Sequence, residues 1–111
     1  GTPGHTLVVP KKHDKDLFEY NEALAAAVFS RLPKIARAIK KSNPAIKGMN
    51  IVNNNGEVAY QSVFHSHIHL IPRYTDHDDF KMIFKDNSAK YDEAKYTAIQ
   101  EAIVKQLEDE D

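Results

Sequence analysis

The sequence predicts an α+β fold, in which an antiparallel sheet packs against a long helix and a C-terminal helix. Short segments with β-branched or alternating apolar residues predict strands, whereas two long segments carry apolar residues at helical spacing. Strands and helices do not alternate with a repeated βαβ period, so an antiparallel sheet is favoured over a parallel one. The 111 residues fit one domain, residues 1–111, with one modest core.

The composition excludes several classes of site and partner. Basic and acidic residues are nearly balanced, at 15 and 16, so no strong attraction to a nucleic acid polymer or an anionic membrane is predicted. The chain has no cysteine, which rules out thiolate metal sites and cysteine nucleophiles in it. No apolar run approaches the roughly 20 residues that span a bilayer, and residues 1–10 lack a signal-peptide pattern. We expect a soluble, cytoplasmic protein.

The first half of the chain contains a predicted strand and a predicted long helix. Residues 5–9 are short and β-branched, and Pro10 follows them, so they predict a strand. Asn21 can cap a helix over residues 22–41, whose apolar residues fall on one stripe. Pro33 lies inside that stripe, so we expect a kinked helix; two helices that meet near Pro33 are the alternative.

The second half contains two further predicted strands and a last helix. Residues 49–53 and 61–72 predict strands, and the Asn-rich stretch that ends at Gly56 is a turn signal between them. Residues 91–107 carry a second apolar stripe at helical spacing. Asn87, or the serine after it, can cap that helix.

Three histidines occupy alternate positions on the third predicted strand: His65, His67 and His69. Successive side chains on a strand point to opposite faces, so the three imidazoles share one face at spacings of about 7 Å. The opposite row is mostly apolar, which predicts that it faces the core. It consists of Phe64, Ser66, Ile68 and Leu70. The histidines are therefore expected on the more exposed face.

A solvated sheet face, a metal site and a catalytic site are the three interpretations of this row. A solvated face would be built more readily from Lys, Glu or Thr. Imidazoles two residues apart can share a zinc ion, and an imidazole can also attack phosphorus while its neighbours transfer protons. The spacing alone does not separate metal binding from catalysis. The upstream groups favour catalysis, because Asn54, Gln61 and Ser62 offer amides and a hydroxyl that bind phosphate oxygens.

Two stretches of the chain resemble conserved blocks of the histidine triad (HIT) superfamily of nucleotide hydrolases and transferases. TPGHTLVVPKKH at residues 2–13 resembles one block, and NNNGEVAYQSVFHSHIHLIPRY at residues 53–74 resembles the active-site block. The resemblance covers most of the chain, and the Pro72-Arg73 ending is most similar to bacterial members and to the fragile-histidine-triad branch. It implies a HIT-like antiparallel sheet in a two-fold dimer.

The resemblance implies a role for each residue that matches a family motif. His67 matches the nucleophile, which forms a nucleotidyl-histidine intermediate, and His65 and His69 match the partners that contact the phosphate and relay protons. His5 matches the fourth histidine of the site, which an adjacent strand contributes. The positions that bind the phosphate or the leaving group are matched by Asn54, Gln61 and Ser62.

The activity implied by the resemblance is hydrolysis at the α-phosphorus of nucleoside monophosphate derivatives, such as phosphoramidates and adenylates, with a purine preferred. This chemistry implies no metal and no other cofactor. Hydrolysis of dinucleoside polyphosphates is an alternative within the superfamily, and a nucleotide- or metal-binding module with little turnover is an alternative of another class. The implied homodimer is expected to use the helix over residues 22–41 and the strand that begins at Met49.

Two features depart from the family pattern. Tyr60 stands where a glycine usually precedes the glutamine, so its side chain is expected to narrow the mouth of the site or to change the backbone near the phosphate. The family's N-terminal helix and hairpin, which wall the nucleoside pocket, are expected to be absent because the matched pattern begins near Gly1. His13 and His77 are predicted to be surface residues, and Arg73 to be solvated or to reach a phosphate.

Overall fold

The structure, a computed structural model, describes residues 2–78, 80–81 and 83–110. The chain divides into two compact units, Gly1–Lys81 and Met82–Asp111. Within the described residues, the first unit contains three strands and two α-helices, and the second contains one α-helix after a 3₁₀ turn.

The sheet has a central strand with an antiparallel neighbour on each side. The strands and α-helices of the described chain are β1 (Thr6–Val8), α1 (Glu22–Phe29), α2 (Leu32–Ser42), β2 (Gly48–Asn53), β3 (Ile68–Arg73) and α3 (Glu93–Glu110). Short 3₁₀ turns lie at Leu17–Glu19, Glu57–Ala59 and Ser88–Lys90. The strand order is β1-β3-β2, and both pairings are antiparallel. The predicted α+β fold with an antiparallel sheet is confirmed.

The register of the sheet places one histidine on the central strand. His69 lies opposite Leu7 of β1 and opposite Val52 of β2. Asn53, the last residue of β2, lies opposite Ile68, the first residue of β3. His69 therefore lies between two paired strands.

Residues 22–41 do not form one kinked helix, and the alternative prediction of two helices that meet near Pro33 is confirmed. α2 begins one residue before Pro33, so the proline lies in the first turn, where its missing N–H removes no helical hydrogen bond. The Asn21 side chain accepts a hydrogen bond from the N–H of Leu24 at 2.8 Å, which confirms the predicted cap.

β3 begins at Ile68, so the prediction of one strand over residues 61–72 is wrong for its first half. Residues 61–67 form bends and irregular backbone instead. Because the ladder begins after them, His65 and His67 belong to a loop that leads into the central strand. The third histidine of the row is the one that the strand itself carries.

The row predicted to face the core is buried from the strand back into this loop with one exception, whereas the alternation itself stops at Ile71, which is 4 % exposed. Ser66, Ile68 and Leu70 are all buried, as predicted. The N–H of Ser66 donates to the carbonyl of Asp14 at 2.8 Å, so a contact outside the sheet holds the loop backbone. Phe64 is 48 % exposed, and its predicted place in the core is wrong because the chain bends before the ladder starts.

The core of the first unit lies between the sheet and the two helices. Its buried members are Val28, Leu32, Ile68 and Leu70. Partly buried side chains that pack against them are Val8, Tyr20, Leu24, Ile35, Ala36, Ile39 and Met49. Burial of one large aliphatic side chain stabilises a fold by about 1.5–3 kcal/mol. The core therefore holds β3, and with it the histidine row, against the helices.

The second unit contains α3, which begins later than predicted. The helix runs over Glu93–Glu110, and the Asp92 carboxylate accepts a hydrogen bond from the N–H of Lys95 at 2.8 Å. The predicted cap at Asn87 or Ser88 is wrong, because those residues belong to the preceding 3₁₀ turn. Across the described residues of both units, no helix has the length and apolar character needed to cross a membrane.

Candidate active site

Three histidine rings meet where β1 and β3 pair. His5 lies just before β1, and His69 lies on β3. The Nε2 atom of His5 and the Nδ1 atom of His69 are 2.9 Å apart, so one of these nitrogens donates a hydrogen bond to the other. The rings of His69 and His67 contact edge to face, with their centroids 5.0 Å apart. The strand pairing thus brings together three of the four histidines that the sequence singles out as catalytic.

The ring of His67 is held in one tautomer when it is neutral. Its Nδ1 atom lies 2.9 Å from the backbone carbonyl oxygen of His65. A carbonyl oxygen can only accept, so Nδ1 donates and carries a hydrogen. The lone pair of the neutral ring is therefore on Nε2, which is the atom able to attack an electrophile. The amide of Asn53 donates to the carbonyl of His67 at 2.9 Å and fixes the backbone that carries the ring.

The ring of His65 forms a hydrogen bond through each nitrogen. Its Nε2 donates to the carbonyl of Pro10 at 2.9 Å, and its Nδ1 lies 3.3 Å from the Nδ1 of His13. Because Nε2 of neutral His65 carries the hydrogen, its Nδ1 has the lone pair and His13 donates to it. A proton that arrives at the Nε2 atom of His13 can then be passed to His65 through this bond. The two rings thus connect the exposed side chain of His13 to the loop that carries His67.

Sequence reasoning missed the contacts of His13 and Asn53. His13 is exposed, as predicted, but its ring also contacts His65, which is 52 residues away in the sequence. The weak signal for it is that the block at residues 2–13 ends at His13. Asn53 ends the strand predicted over residues 49–53, and only the register of the sheet shows that it faces the histidine loop.

Burial lowers the pKa of His69 below its ordinary value, and the positive charges that His67 and His5 can carry lower it further. His69 therefore stays neutral at a pH where an isolated histidine would begin to take up a proton. Its Nδ1 is occupied by the hydrogen bond to His5. A neutral ring in this position can exchange a proton with a neighbour without adding a fixed charge to the site.

Gln61 anchors the loop that precedes the histidines. It is 2 % exposed, and its Nε2 donates to the carbonyls of Lys15 at 2.6 Å and Val63 at 3.1 Å. Its Oε1 accepts from the N–H of Gly56 at 2.8 Å. The amide thus fixes the loop from inside, and direct contact between Gln61 and a substrate stays a prediction.

Asn54 and Ser62, the other two predicted substrate-binding residues, are accessible. Ser62 is exposed and Asn54 is half-buried. Asn55, by contrast, binds within the chain: its amide oxygen accepts from the N–H of Leu17 at 2.7 Å, and its nitrogen donates to the side chain of Asn53 at 2.7 Å. These bonds order the turn beside the site, and substrate contacts of Asn54 and Ser62 stay predictions.

Arg73 is held at the end of β3 rather than solvated or extended toward a phosphate. Its guanidinium donates to Asp78 at 3.1 Å and to Asn50 at 2.7 Å, and it lies 5.7 Å from the centre of the Phe80 ring. Desolvation opposes ionisation of Asp78, but hydrogen bonds from the N–H of Tyr74 and from Arg73 lower the pKa of this carboxyl overall. The arginine therefore stabilises the turn after the sheet.

The histidines bind one another and backbone carbonyls rather than forming an evident metal cage. His77 is exposed, as predicted, and its ring lies 3.6 Å from the carboxylate of Asp76. In the parts of the chain that the structure describes, no group of three or more His, Asp or Glu side chains is placed to hold a metal ion.

Comparison with known proteins shows similarity over the whole region of the site. A HIT domain family model matches residues 1–76. Protein hit of Bacillus subtilis is 45 % identical over 106 residues, which are 96 % of this chain and 72 % of that protein. Adenylylsulfatase HINT3 of Arabidopsis thaliana is 43 % identical over 70 residues, which are 64 % of this chain and 35 % of that protein. The crystal structure of a HIT family protein from Bacillus anthracis has a TM-score of 0.89 at 44 % identity and covers 95 % of this chain and 74 % of that one.

Proposed function

The chain belongs to the HIT family, and from this premise we propose that it hydrolyses nucleoside monophosphate derivatives at their α-phosphorus. Family membership supports nucleotide binding and hydrolysis in general. The substrates in this proposal are phosphoramidates and adenylates with a purine base. A similar protein of Arabidopsis thaliana is named an adenylylsulfatase, which supports an adenylyl group as the nucleotide part.

The observation that carries this proposal is the hydrogen bond from Nδ1 of His67 to the carbonyl of His65, because it leaves the lone pair on Nε2. In the first step, Nε2 attacks the phosphorus. The bond between phosphorus and the leaving group breaks, and its electron pair goes to the leaving group. The leaving group takes up one proton from the hydrogen-bonded pair of His5 and His69, which carries an extra proton at the start of this step, and the nucleotide stays bonded to His67.

Water completes the reaction in the second step. It attacks the phosphorus of the nucleotidyl-histidine, and the electron pair of the P–N bond returns to Nε2 of His67. The proton lost by water goes to the imidazole that gave one in the first step. The cycle therefore ends with a nucleoside monophosphate, a protonated leaving group and the original enzyme, and no metal takes part.

The pair of His5 and His69 and the pair of His13 and His65 have different roles in this scheme. His69, in contact with both His67 and His5, is placed to exchange a proton with the reacting groups. His65 holds the nucleophile through its backbone carbonyl, while its ring connects to His13. General acid and base groups of this kind contribute typically about 10²–10⁴-fold to a rate.

The test of this mechanism is a search for the covalent intermediate. The protein is mixed with an adenosine phosphoramidate, quenched on the millisecond scale and digested for mass spectrometry. We expect one adenylyl group on the peptide that contains His67, and a loss of several orders of magnitude in turnover in His67→Ala. His77→Ala is the matched control, because His77 is an exposed loop histidine.

Two results would reject the mechanism: turnover by the wild type without any adduct, or near-normal turnover by His67→Ala. The activity is also measured after treatment with a chelator, and we expect no change. Activity that is lost on chelation and restored by zinc would instead favour the metal-site interpretation.

The assembly that we propose is a homodimer. β2 is an edge strand in the order β1-β3-β2, and Ile51 on it is half exposed. An edge strand offers backbone groups to a second chain, and two-fold dimers are the commonest oligomers. Sedimentation at micromolar concentration should show a dimer that Ile51→Lys weakens. A folded wild-type monomer under these conditions would contradict this assembly.

A further inference from the structure

An open cavity of about 500 Å³ is lined in part by two of the predicted phosphate-binding residues, Gln61 and Ser62, and is not used in the mechanism above. Its lining consists of Glu57, Tyr60, Gln61, Ser62 and Phe64. We call it the Tyr60 cavity. Two aromatic rings border it, and both are accessible: Tyr60 is 88 % exposed and Phe64 is 48 % exposed. The lining therefore combines one carboxylate with two accessible aromatic rings.

The backbone at Tyr60 is strained for the residue that occupies it. Its φ is 69° and its ψ is 20°, and among the described residues it is the one non-glycine residue with positive φ. The left-handed conformation costs an L-residue roughly 1–2 kcal/mol, which a glycine would avoid. The exposed ring recovers little of that cost by packing. A strained residue with an exposed ring points to use of the ring by a ligand.

The Tyr60 cavity is held in shape by the loop's own hydrogen bonds. The N–H of Tyr60 donates to the carbonyl of Glu57 at 2.9 Å, and the N–H of Gln61 donates to the carbonyl of Gly56 at 3.0 Å. The buried side chain of Gln61 then ties this turn to Lys15. The carboxylate and the tyrosine ring therefore come from one ordered turn, which lowers the entropic cost of binding a ligand between them.

The Tyr60 cavity is close to the proposed reacting centre along the chain. Phe64 precedes His67 by three residues, so their Cα atoms are within about 11 Å of each other. Ser62, which lines the cavity, is also a predicted contact of the phosphate or the leaving group. The predicted contact of Ser62 with the leaving group would place that group at the edge of the Tyr60 cavity.

A carboxylate and aromatic faces together are groups that bind an organic ammonium ion. We infer that the Tyr60 cavity is the subsite for the leaving group and that it favours leaving amines that carry a second, positively charged amino group. This inference rests on the proposed function, because it assumes that a P–N bond is broken at His67. Glu57 binds the ammonium ion, and Tyr60 and Phe64 contact it and the alkyl chain.

The test uses two adenosine phosphoramidates that differ only at the far end of the leaving amine. One releases hexylamine and the other releases 1,5-diaminopentane, whose distant amine is charged and which has the same chain length in heavy atoms. We expect the wild type to favour the charged substrate by roughly 3- to 30-fold in kcat/KM. The ratio should fall toward one in Glu57→Gln and in Tyr60→Gly.

Tyr60→Phe keeps the ring and should keep the preference for the charged substrate. Tyr60→Gly removes the ring and also relieves the strained backbone, so it is not expected to unfold the loop. Val58→Ala is the control, because Val58 is exposed and does not line the cavity. Hydrolysis of the preformed adduct on His67 is measured in the same proteins. The leaving group has gone by then, so a loss there equal to the loss in adduct formation would overturn the subsite.

The two proposals fail in different ways. Turnover of both substrates with equal kcat/KM in the wild type would overturn the subsite and leave the proposed function in place. Turnover of neither substrate, with no adduct on His67, would overturn the proposed function and the subsite with it. A preference for the charged substrate that Glu57→Gln and Tyr60→Gly do not change would also reject the Tyr60 cavity as its cause.

Discussion

Replacement of His13 tests whether its hydrogen bond to His65 takes part in the reaction. The two Nδ1 atoms are 3.3 Å apart, and the bond is exposed to solvent. A hydrogen bond of this kind contributes about 0.5–1.5 kcal/mol, and 1.36 kcal/mol is a tenfold change in rate. The length and exposure of the bond place it in the lower half of that range. We therefore expect His13→Ala to lower the rate of adduct formation by about two- to fivefold.

Two further variants separate donation by His13 from its mere presence. In His13→Asn, the side-chain amide supplies an N–H close to the position of Nδ1, so the rate should remain near that of the wild type. In His13→Asp, the carboxylate can only accept. His65 must then donate from Nδ1 while its Nε2 still donates to Pro10, so the carboxylate favours the charged form of His65.

The assay is the single-turnover rate of adduct formation between pH 5 and 9, with stability checked by denaturant. In a plot of this rate against pH, His13→Asp should move the fall at low pH to higher pH, because the carboxylate makes it easier for His65 to take up a second ring proton than in the wild type. A His13→Ala variant that is as fast as the wild type would refute the argument, as would a His13→Asn variant as slow as His13→Ala or an unshifted pH–rate profile in His13→Asp.

Two further predictions concern the pH dependence of stability and the contribution of the core to it. Because the pKa of His69 is below its ordinary value of 6.5, the unfolded chain takes up a proton before the folded chain does as the pH falls, so the free energy of unfolding should drop below about pH 6.5. His69→Gln should make that drop smaller, and the control His77→Gln should not. Equal drops in the two variants, measured by denaturant titration, would contradict this. Replacement of the fully buried Leu70 by Ala should lower the free energy of unfolding by about 2–5 kcal/mol. Replacement of Leu107, which is 61 % exposed, should lower it by less than about 0.5 kcal/mol. Similar losses in the two variants would show that the core is misassigned.

The parts of the fold that the sequence predicts are those with a local periodic signal. The helical stripe over residues 22–41 and the cap at Asn21 depend on neighbours within a few residues, and both are found. Pro33 was compatible with a kink or a new start, since proline is tolerated in the first turn of a helix and disrupts its interior. The choice between them depends on the packing of two helices, which local spacing does not contain.

In the candidate site, too, local patterns predict some features and distant contacts determine the others. The alternation of His65, His67 and His69, together with the family resemblance, singles out three histidines of the row and His5. The contacts of His13 and Asn53 depend on pairs of residues far apart in the chain, so no local pattern predicts them. The hydrogen bond by which Gln61 ties the loop to Lys15 also joins residues distant in the sequence, whereas the contact of Gln61 with substrate stays a prediction from its residue type and the resemblance.

The start of β3 at Ile68, later than predicted, has a chemical consequence. Had the strand continued back through His65, as predicted, its carbonyl would have belonged to the central strand, whose backbone groups are bonded to β1 on one side and β2 on the other. The ladder instead begins at Ile68, so the carbonyl of His65 is available to accept from Nδ1 of His67. The loop thus fixes the tautomer that leaves Nε2 free to react. A paired strand in its place would have kept the alternation of the histidines but directed the carbonyl of His65 toward a neighbouring strand.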